Sequence, residues 1–506
     1  MDLKRTLHQS WKANAERPFL VEEDQRWTFD QVIRRAVALS RLIIASDRSE
    51  TGHVGIILPN SEAFVTSFFG CLAADRAAVP VNCLLSPPEA GFILEHGRVK
   101  LVLTSSAFRP LIEAIRESGG PAIEAIYLDE LAAVFGEEQV HAAVASADPD
   151  MLDSGESDPE RTACLLYTSG TTDLAKGVIL THGNLVANCE SMRQALDIYA
   201  EDAFLCVLPL FHSFGMTTTM LLSLVAGSRM VLMRRFHPTT AVDLIEREKV
   251  TALLMVAPMF ALLMRAASSN PSRLSTVRIA ISGGGPLSPA LGEAFHKSMG
   301  FPVFQGYGLT EAAPVVAVNS PPNYPPASVG PCVPGVRAEI RDENDQPLAV
   351  GETGEICVAG ENIMRGYYRN PEETAAALDG KGWLRTGDLG YLDDKGVLYV
   401  TGRKKDLIIF GGEKIYPQEV EHTLGTHPAI AEVAIVGITD PLRNEYPKAF
   451  LVLKEGASIE ERELRHWCAE RMAGFKVPRE FEVLDALPKN TLGKVLKREL
   501  AKQSPG

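Results

Sequence analysis

From His53 onward the chain repeats one rhythm: a short apolar run, a stretch with helical spacing, then another apolar run. "HVGIILP" is followed by a helical pattern over 61–74, then by "AAVPV" and "VKLVLTS". Runs of four to eight apolar residues alternating with helices are the mark of βαβ units, because parallel neighbours need a crossover between them. The rhythm returns after residue 160 with "CLLYT", "FLCVLPL", "RMVLM", "ALLMV" and "VRIAIS". Between the first two, Leu185, Cys189, Met192 and Leu196 recur at spacings of four, three and four, which predicts one buried helix face. The apolar window "LLMVAPMFALLM" (253–264) is too short to span a bilayer and is broken by proline, so it is read as core.

Two segments break the pattern, the acidic "ADPDMLDSGESDPER" (147–161) and the proline-rich "NSPPNYPPASVGPCVPG" (319–335), and both are predicted loops. Beyond about residue 400 the units become smaller: "DLIIF", a helix around "PQEVEHTL", "AEVAIVGI", "KAFLVLK", a charged helix in "IEERELRHWCAERM", and "REFEVL". The polar stretch "GRKKD" (402–406) lies at the change and suits a hinge. With 506 residues there is room for more than one core. The expected fold class is α/β: a large, multi-layered N-terminal domain with mixed sheets over 1–402, and a small, mobile α+β domain over 403–506.

The net charge of −14 disfavours a broad nucleic-acid surface but leaves room for a local basic pocket. The eight cysteines are scattered, without a CxxC pair or a zinc-spaced Cys/His cluster, so reduced thiols are expected. Neither a secretory signal, a targeting tripeptide nor an integral membrane segment is read from the sequence, and a cytoplasmic location is the expectation.

Chemistry concentrates first in "YTSGTTDLAKG", residues 167–177. Glycines leave backbone N–H groups unobstructed, Ser and Thr add hydroxyl donors, and a lysine supplies a point charge, which together make a phosphate cradle. The order of Lys176 and its glycine excludes a Walker A loop.

At this point the chain resembles the acyl-adenylate-forming superfamily of acyl-CoA synthetases, aryl-CoA ligases, luciferase and adenylation domains, whose signature loop reads approximately YTSGTTGxPKGV. "LPLFHSFG" (208–215), "GGGPLS" (283–288), "QGYGLTE" (305–311), "WLRTGDLG" (383–390), "GRKKDLIIFGGEKIYPQEVE" (402–421) and "LPKNTLGKVLKREL" (487–500) follow in the family's order. The resemblance implies an ATP-dependent acid–thiol ligase using Mg²⁺ and CoA, with fatty acyl-CoA synthetases the nearest match and a medium- or long-chain fatty acid the expected substrate. An aryl-CoA ligase and an enzyme loading a separate acyl carrier protein are the alternatives.

It also implies roles for individual residues. Thr168, Ser169, Gly170, Thr171, Thr172 and Lys176 would grip the β- and γ-phosphates, with Thr171 and Glu311 beside Mg²⁺. Gly283, Gly284, Gly285, Gly306, Tyr307, Gly308 and Thr310 would form the adenine slot, and Asp388 would bind the ribose hydroxyls. Arg403 would close over the nucleotide, Lys494 would reach the reacting phosphorus, and His212 would stand beside the substrate carboxylate. Lys405 is the expected hinge, and Gly411 and Gly412 would line the pantetheine path.

Asp173 stands where the family has glycine, and Ala175 where proline is common. A carboxylate about 5 Å from a phosphate charge costs on the order of 3 kcal/mol at an effective dielectric near 20, so Asp173 either faces solvent, which is the expectation, or assists Mg²⁺ or Lys176, or weakens ATP binding. Phe211 and His212 offer no anion for a substrate ammonium, which argues against amino acids. "HSFGMTTTMLLSLVAG" and "MVAPMF" supply an apolar, methionine-rich wall for a hydrophobic acyl group. A serine hydrolase is disfavoured, because "AISGG" around Ser282 lacks the first glycine of G-x-S-x-G.

Overall fold

A computed structural model describes residues 2–168, 175–320, 325, 327–410, 413–440, 444–489 and 493–502. Two large sheets form the body. One has seven strands: Leu101–Thr104, His53–Ile57 and Ala77–Pro80 run parallel between Glu124–Tyr127 and Thr162–Thr168. Lys176–Thr181 then pairs antiparallel with Thr162–Thr168, and Thr168 faces Lys176 at the tip of that pair. The other has eight strands, with Ile279–Ser282, Ala252–Met255, Ala203–Cys206 and Arg229–Leu232 parallel at its centre.

The expected alternation is therefore present, and its cause is visible in burial. Val54, Ile56 and Leu103 from one sheet, and Phe204, Leu254 and Ile281 from the other, share a single core with the helices Phe29–Ser46, Glu62–Ala73 and His182–Ala195. Alternate strand residues face outward into separate cores, Leu205, Leu253 and Ala280 on one side and Val102 and Leu165 on the other. Helices thus cover both faces of both sheets, as parallel strands require. Leu185, Cys189 and Met192 all lie buried on one helix face as predicted, and Leu196 is the residue that caps it. That helix begins immediately after strand Lys176–Thr181, because Thr181 Oγ1 accepts the Asn184 N–H (3.1 Å) while Asn184 Oδ1 accepts the Thr181 N–H (2.9 Å).

The segment 147–161 contains a short 3₁₀ turn, Pro149–Asp153, within its expected loop. A five-stranded antiparallel sheet built from Gly330–Pro331, Arg337–Arg341, Gly354–Ala359, Leu384–Leu392 and Val397–Arg403 went unread in the sequence. It carries Asp388 and Arg403 on adjacent strands. A further five-stranded sheet follows, with Ile430–Asp440 and Asn444–Leu453 as its long pair and Pro417–Gly425 and Glu461–Ala469 as its helices. Ile415, Val420, Leu424, Ile435, Leu451 and Leu464 form its own core.

All eight cysteines are free thiols. Among the described residues, no helix is long and apolar enough to cross a membrane.

Candidate active site

The loops that follow the central strands and the last β-pair of the body meet in one neighbourhood, the usual ligand position in open α/β sheets. At one end lies Lys176. Its ammonium sits 2.6 Å from Glu373 Oε2 and 5.2 Å from the centroid of the Tyr367 ring. Tyr367 donates its hydroxyl to Glu311 Oε1 at 2.8 Å, and burial together with the Glu311 charge pushes the phenol above its ordinary range. A cation, an aromatic face and a carboxylate are thereby held in line. Thr168 flanks them across the strand pair, and Ala175 follows directly on the loop. Ser169, Gly170, Thr171, Thr172 and Asp173 lie outside the described residues, as do Gly411 and Gly412.

The middle of this neighbourhood is shaped by glycines. A Cβ on Gly283 would lie 2.7 Å from Cζ of Phe214, and one on Gly308 would lie 2.2 Å from the Pro314 carbonyl oxygen, so neither position admits a side chain without displacement. Gly284 and Gly285 continue the turn from Gly283, and Gln305 Oε1 ties the same loop down by accepting the Leu287 N–H at 2.8 Å. Gly306 and Tyr307 lie on the neighbouring strand Phe304–Gly308. Thr310 is buried, with its hydroxyl 3.1 Å from Ser213 Oγ.

Asp388 organises the next part. Its Oδ2 accepts the Tyr307 hydroxyl at 2.8 Å, and its Oδ1 pairs with Arg403 Nε at 2.9 Å. Its backbone N–H donates to Thr386 Oγ1 at 3.0 Å. Burial first, and then the Asp388 charge, raise the Tyr307 phenol well above its usual range, so it stays a donor.

The far end is reached by the C-terminal segment. Gly493 lies against the start of helix Ala257–Ala267, where a Cβ would stand 3.7 Å from Pro258 Cγ. Lys494 follows Gly493 and keeps an exposed side chain, yet desolvation by the surrounding protein, followed by the charge of Arg403, pushes its ammonium down to about 8, against the opposing pull of Asp388. His212 feels the same ammonium. Burial and Lys494 bring its imidazole to about 4, so it is neutral at physiological pH. Its Nδ1 accepts the Phe214 N–H at 3.2 Å, which places the ring proton on Nε2 as a donor. Lys405, at the junction, is likewise lowered, chiefly by burial and then by Arg403.

Most sequence-selected residues within the described range are therefore linked in one connected cluster. Tyr367, Glu373, Thr386 and Phe214 were not selected. Glu373 reads in sequence as an ordinary acidic residue in a helical first turn, and Tyr367 as one aromatic in "GYY". Ser282, the hydrolase candidate, is fully buried with its hydroxyl unpaired, so no imidazole activates it.

Glycine turns and a row of cations in a large α/β part, reached by a segment of a smaller C-terminal part, fit a nucleotide-binding enzyme. The chain belongs to the family described as "AMP-binding enzyme", which it matches over residues 7–368, and residues 419–494 match the "AMP-binding enzyme C-terminal domain". It is 33% identical to a long-chain-fatty-acid–CoA ligase of Bacillus subtilis over 95% of this chain and 90% of the relative. It is 36% identical to a 2-succinylbenzoate–CoA ligase of Bacillus velezensis, covering 98% and 96%. The solved O-succinylbenzoate coenzyme A synthetase of Bacillus subtilis, in complex with ATP and magnesium ion, superposes with a TM-score of 0.84 at 34% identity over 98% of both chains.

Proposed function

We propose that this protein is an AMP-forming acid–CoA ligase for a hydrophobic carboxylic acid. The acid's oxygen attacks the α-phosphorus of ATP, pyrophosphate leaves, and the acyl-AMP then passes its acyl group to the thiol of CoA with release of AMP. The observation that carries this reading is that the Lys494 ammonium interacts electrostatically with Arg403, Asp388 and His212, residues drawn from three separate parts of the chain. An ammonium held there meets negative charge developing at the reacting phosphorus, and is worth more once bound substrates exclude water from it. His212 offers Nε2–H to the acid's carboxylate without adding charge.

In the same reading Asp388 takes the ribose hydroxyls with Tyr307 fixing its second oxygen, Arg403 closes over the nucleotide, and Gly283 to Gly285, Gly306, Gly308 and Thr310 shape the adenine slot. Lys176 and Thr168, with the loop residues Ser169 to Thr172, take the outer phosphates. Glu311 fits a hard cation accompanying ATP, since one of its oxygens is fixed by Tyr367 and the other accepts no bond among the described residues. Mg²⁺ bound there would screen the phosphate charge. The proposed division runs 1–402 and 403–506, with Lys405 as hinge and Gly411 and Gly412 on the thiol path.

A fatty acid is the substrate class supported by the buried run Met216–Leu221 and by the fatty-acid-activating relative. An aryl acid is the second reading, favoured by the Phe214 ring lying directly on Gly283 and by the succinylbenzoate-activating relatives. Acid-dependent pyrophosphate release, measured with and without CoA over fatty and aryl acids, tests both. A separate carrier protein as acceptor is tested by replacing CoA with holo-carrier in the same assay. No acid-dependent pyrophosphate release with any acid would overturn the ligase reading.

A further inference from the structure

Lys176 is already paired with an anion that the chain itself supplies. Glu373 Oε2 lies 2.6 Å from its ammonium, and the lysine side chain keeps 15% of its surface exposed against 38% for the glutamate. The position of Glu373 is built rather than incidental. Its N–H donates to Asn370 Oδ1 at 3.2 Å, and the next residue, Thr374, uses Oγ1 both to accept the Tyr367 N–H at 2.9 Å and to donate to the Asn370 carbonyl at 2.8 Å. The backbone segment that presents Glu373 is thus pinned to the same tyrosine whose ring lies under the lysine and whose hydroxyl holds Glu311. One carboxylate thus already neutralises the ammonium that an incoming anion would have to use.

We propose that Glu373 is an internal counter-anion for Lys176 that the outer phosphates of ATP must displace, so that this residue sets the enzyme's affinity for the polyphosphate end of the nucleotide. The inference rests on the reading of Lys176 as a phosphate ligand given above. A single carboxylate keeps the half-buried ammonium paired and held over Tyr367 while the nucleotide is away. The more highly charged triphosphate then replaces it, and Glu373 swings toward solvent, where it is already partly exposed. A glutamate left between lysine and phosphate would repel the nucleotide, and its displacement is therefore felt in binding rather than in the chemical step.

The test is titration calorimetry with ATP and Mg²⁺ in the absence of acid, so that no turnover occurs, on the wild type, Glu373→Gln, Glu373→Ala, Lys176→Ala and the double variant Glu373→Gln/Lys176→Ala. The expected result is a Kd for ATP about two- to fivefold lower in both Glu373 variants, the scale of one partly exposed ion pair. That gain should shrink at high salt and vanish in the Lys176→Ala background. In steady state, KM for ATP should move more than kcat. A weaker Kd in Glu373→Gln, or no change in a protein whose Lys176→Ala variant does lose affinity, overturns the counter-anion and leaves the phosphate role of Lys176 standing. An unchanged Kd in Lys176→Ala overturns both.

Discussion

Asp388 and Arg403 face each other across an antiparallel strand pair, with the carboxylate Oδ1 2.9 Å from the guanidinium Nε. The carboxylate is almost fully buried, and Tyr307 holds its other oxygen at 2.8 Å. Arg403 is the last residue of its strand, so this pair joins the body to the junction that leads to the C-terminal sheet.

Replacing Asp388 by Asn removes a charge-assisted partner from both Tyr307 and Arg403 while keeping the shape. Hydrogen bonds to a charged group contribute roughly 1.5–3 kcal/mol, so KM for ATP in acid-dependent pyrophosphate exchange should rise by about ten- to a hundredfold. A variant with unchanged KM would show that Asp388 is a structural ion-pair member without a nucleotide contact.

The role proposed for Lys494 predicts an alkaline limb in the adenylation step. Its ammonium is pushed down to about 8, and in the proposed role only the protonated form meets phosphate charge, so kcat/KM for ATP should fall as pH rises through about 8. Bound phosphates favour the cation, and the limb in kcat should lie at higher pH than the limb in kcat/KM. Lys494→Ala should lose about 10²–10³ in pyrophosphate exchange. The sign for stability is the opposite of that for rate: between about 8 and the usual lysine value the unfolded chain holds a proton that the folded one has released, so folding stability rises with pH across that window.

Much of this site was legible because its chemistry is local. "GGGP", "QGYG" and "RTGD" are contiguous, and the helix carrying Leu185, Cys189 and Met192 shows a period that burial on one face imposes. The illegible parts are non-local. Lys176 and Glu373 are 197 residues apart, and no feature near either residue signals the other. Strands Pro18–Glu22 and Gln25–Thr28 join a sheet whose remaining strands begin at Ala203, and two-residue strands such as Gly330–Pro331 have no room for an alternation to show.

His182 and His212 make the fold sensitive to acid. Burial pushes both imidazoles down to about 4, against about 6.5 in the unfolded chain. Below pH 6.5 the unfolded chain takes up protons that the folded chain refuses, so stability present at neutral pH is lost as pH falls toward 4. His182 is 1% exposed, and its Nδ1 accepts the Leu3 N–H at 3.2 Å, which anchors the first helix. Its share of the loss is about 3 kcal/mol. The urea midpoint of the first unfolding transition should drop between pH 7.5 and 5, and His182→Gln should be less stable at pH 7.5 yet show a shallower drop. An equally steep drop in His182→Gln would assign the acid sensitivity elsewhere.

The contact between Phe214 and Gly283 makes a prediction about substrate size. A Cβ at position 283 would stand 2.7 Å from Cζ and 2.9 Å from Cε1 of a half-buried ring, so Gly283→Ala must push Phe214 out of its place. Overpacking of this kind costs roughly 1–3 kcal/mol, and kcat/KM for the preferred acid should fall by about ten- to a hundredfold. Phe214 packs against both cores of the eight-stranded sheet, so trimming it to Ala opens space between them and should favour bulkier acids. Because the two residues touch, their effects should not add. Phe214→Ala/Gly283→Ala should recover most of the activity that Gly283→Ala loses, measured as pyrophosphate release over acids of increasing size. Additive losses in the double variant would mean that the ring at 214 and the loop at 283 act on the acid independently, and the tight packing between them would then carry no weight in choosing the substrate.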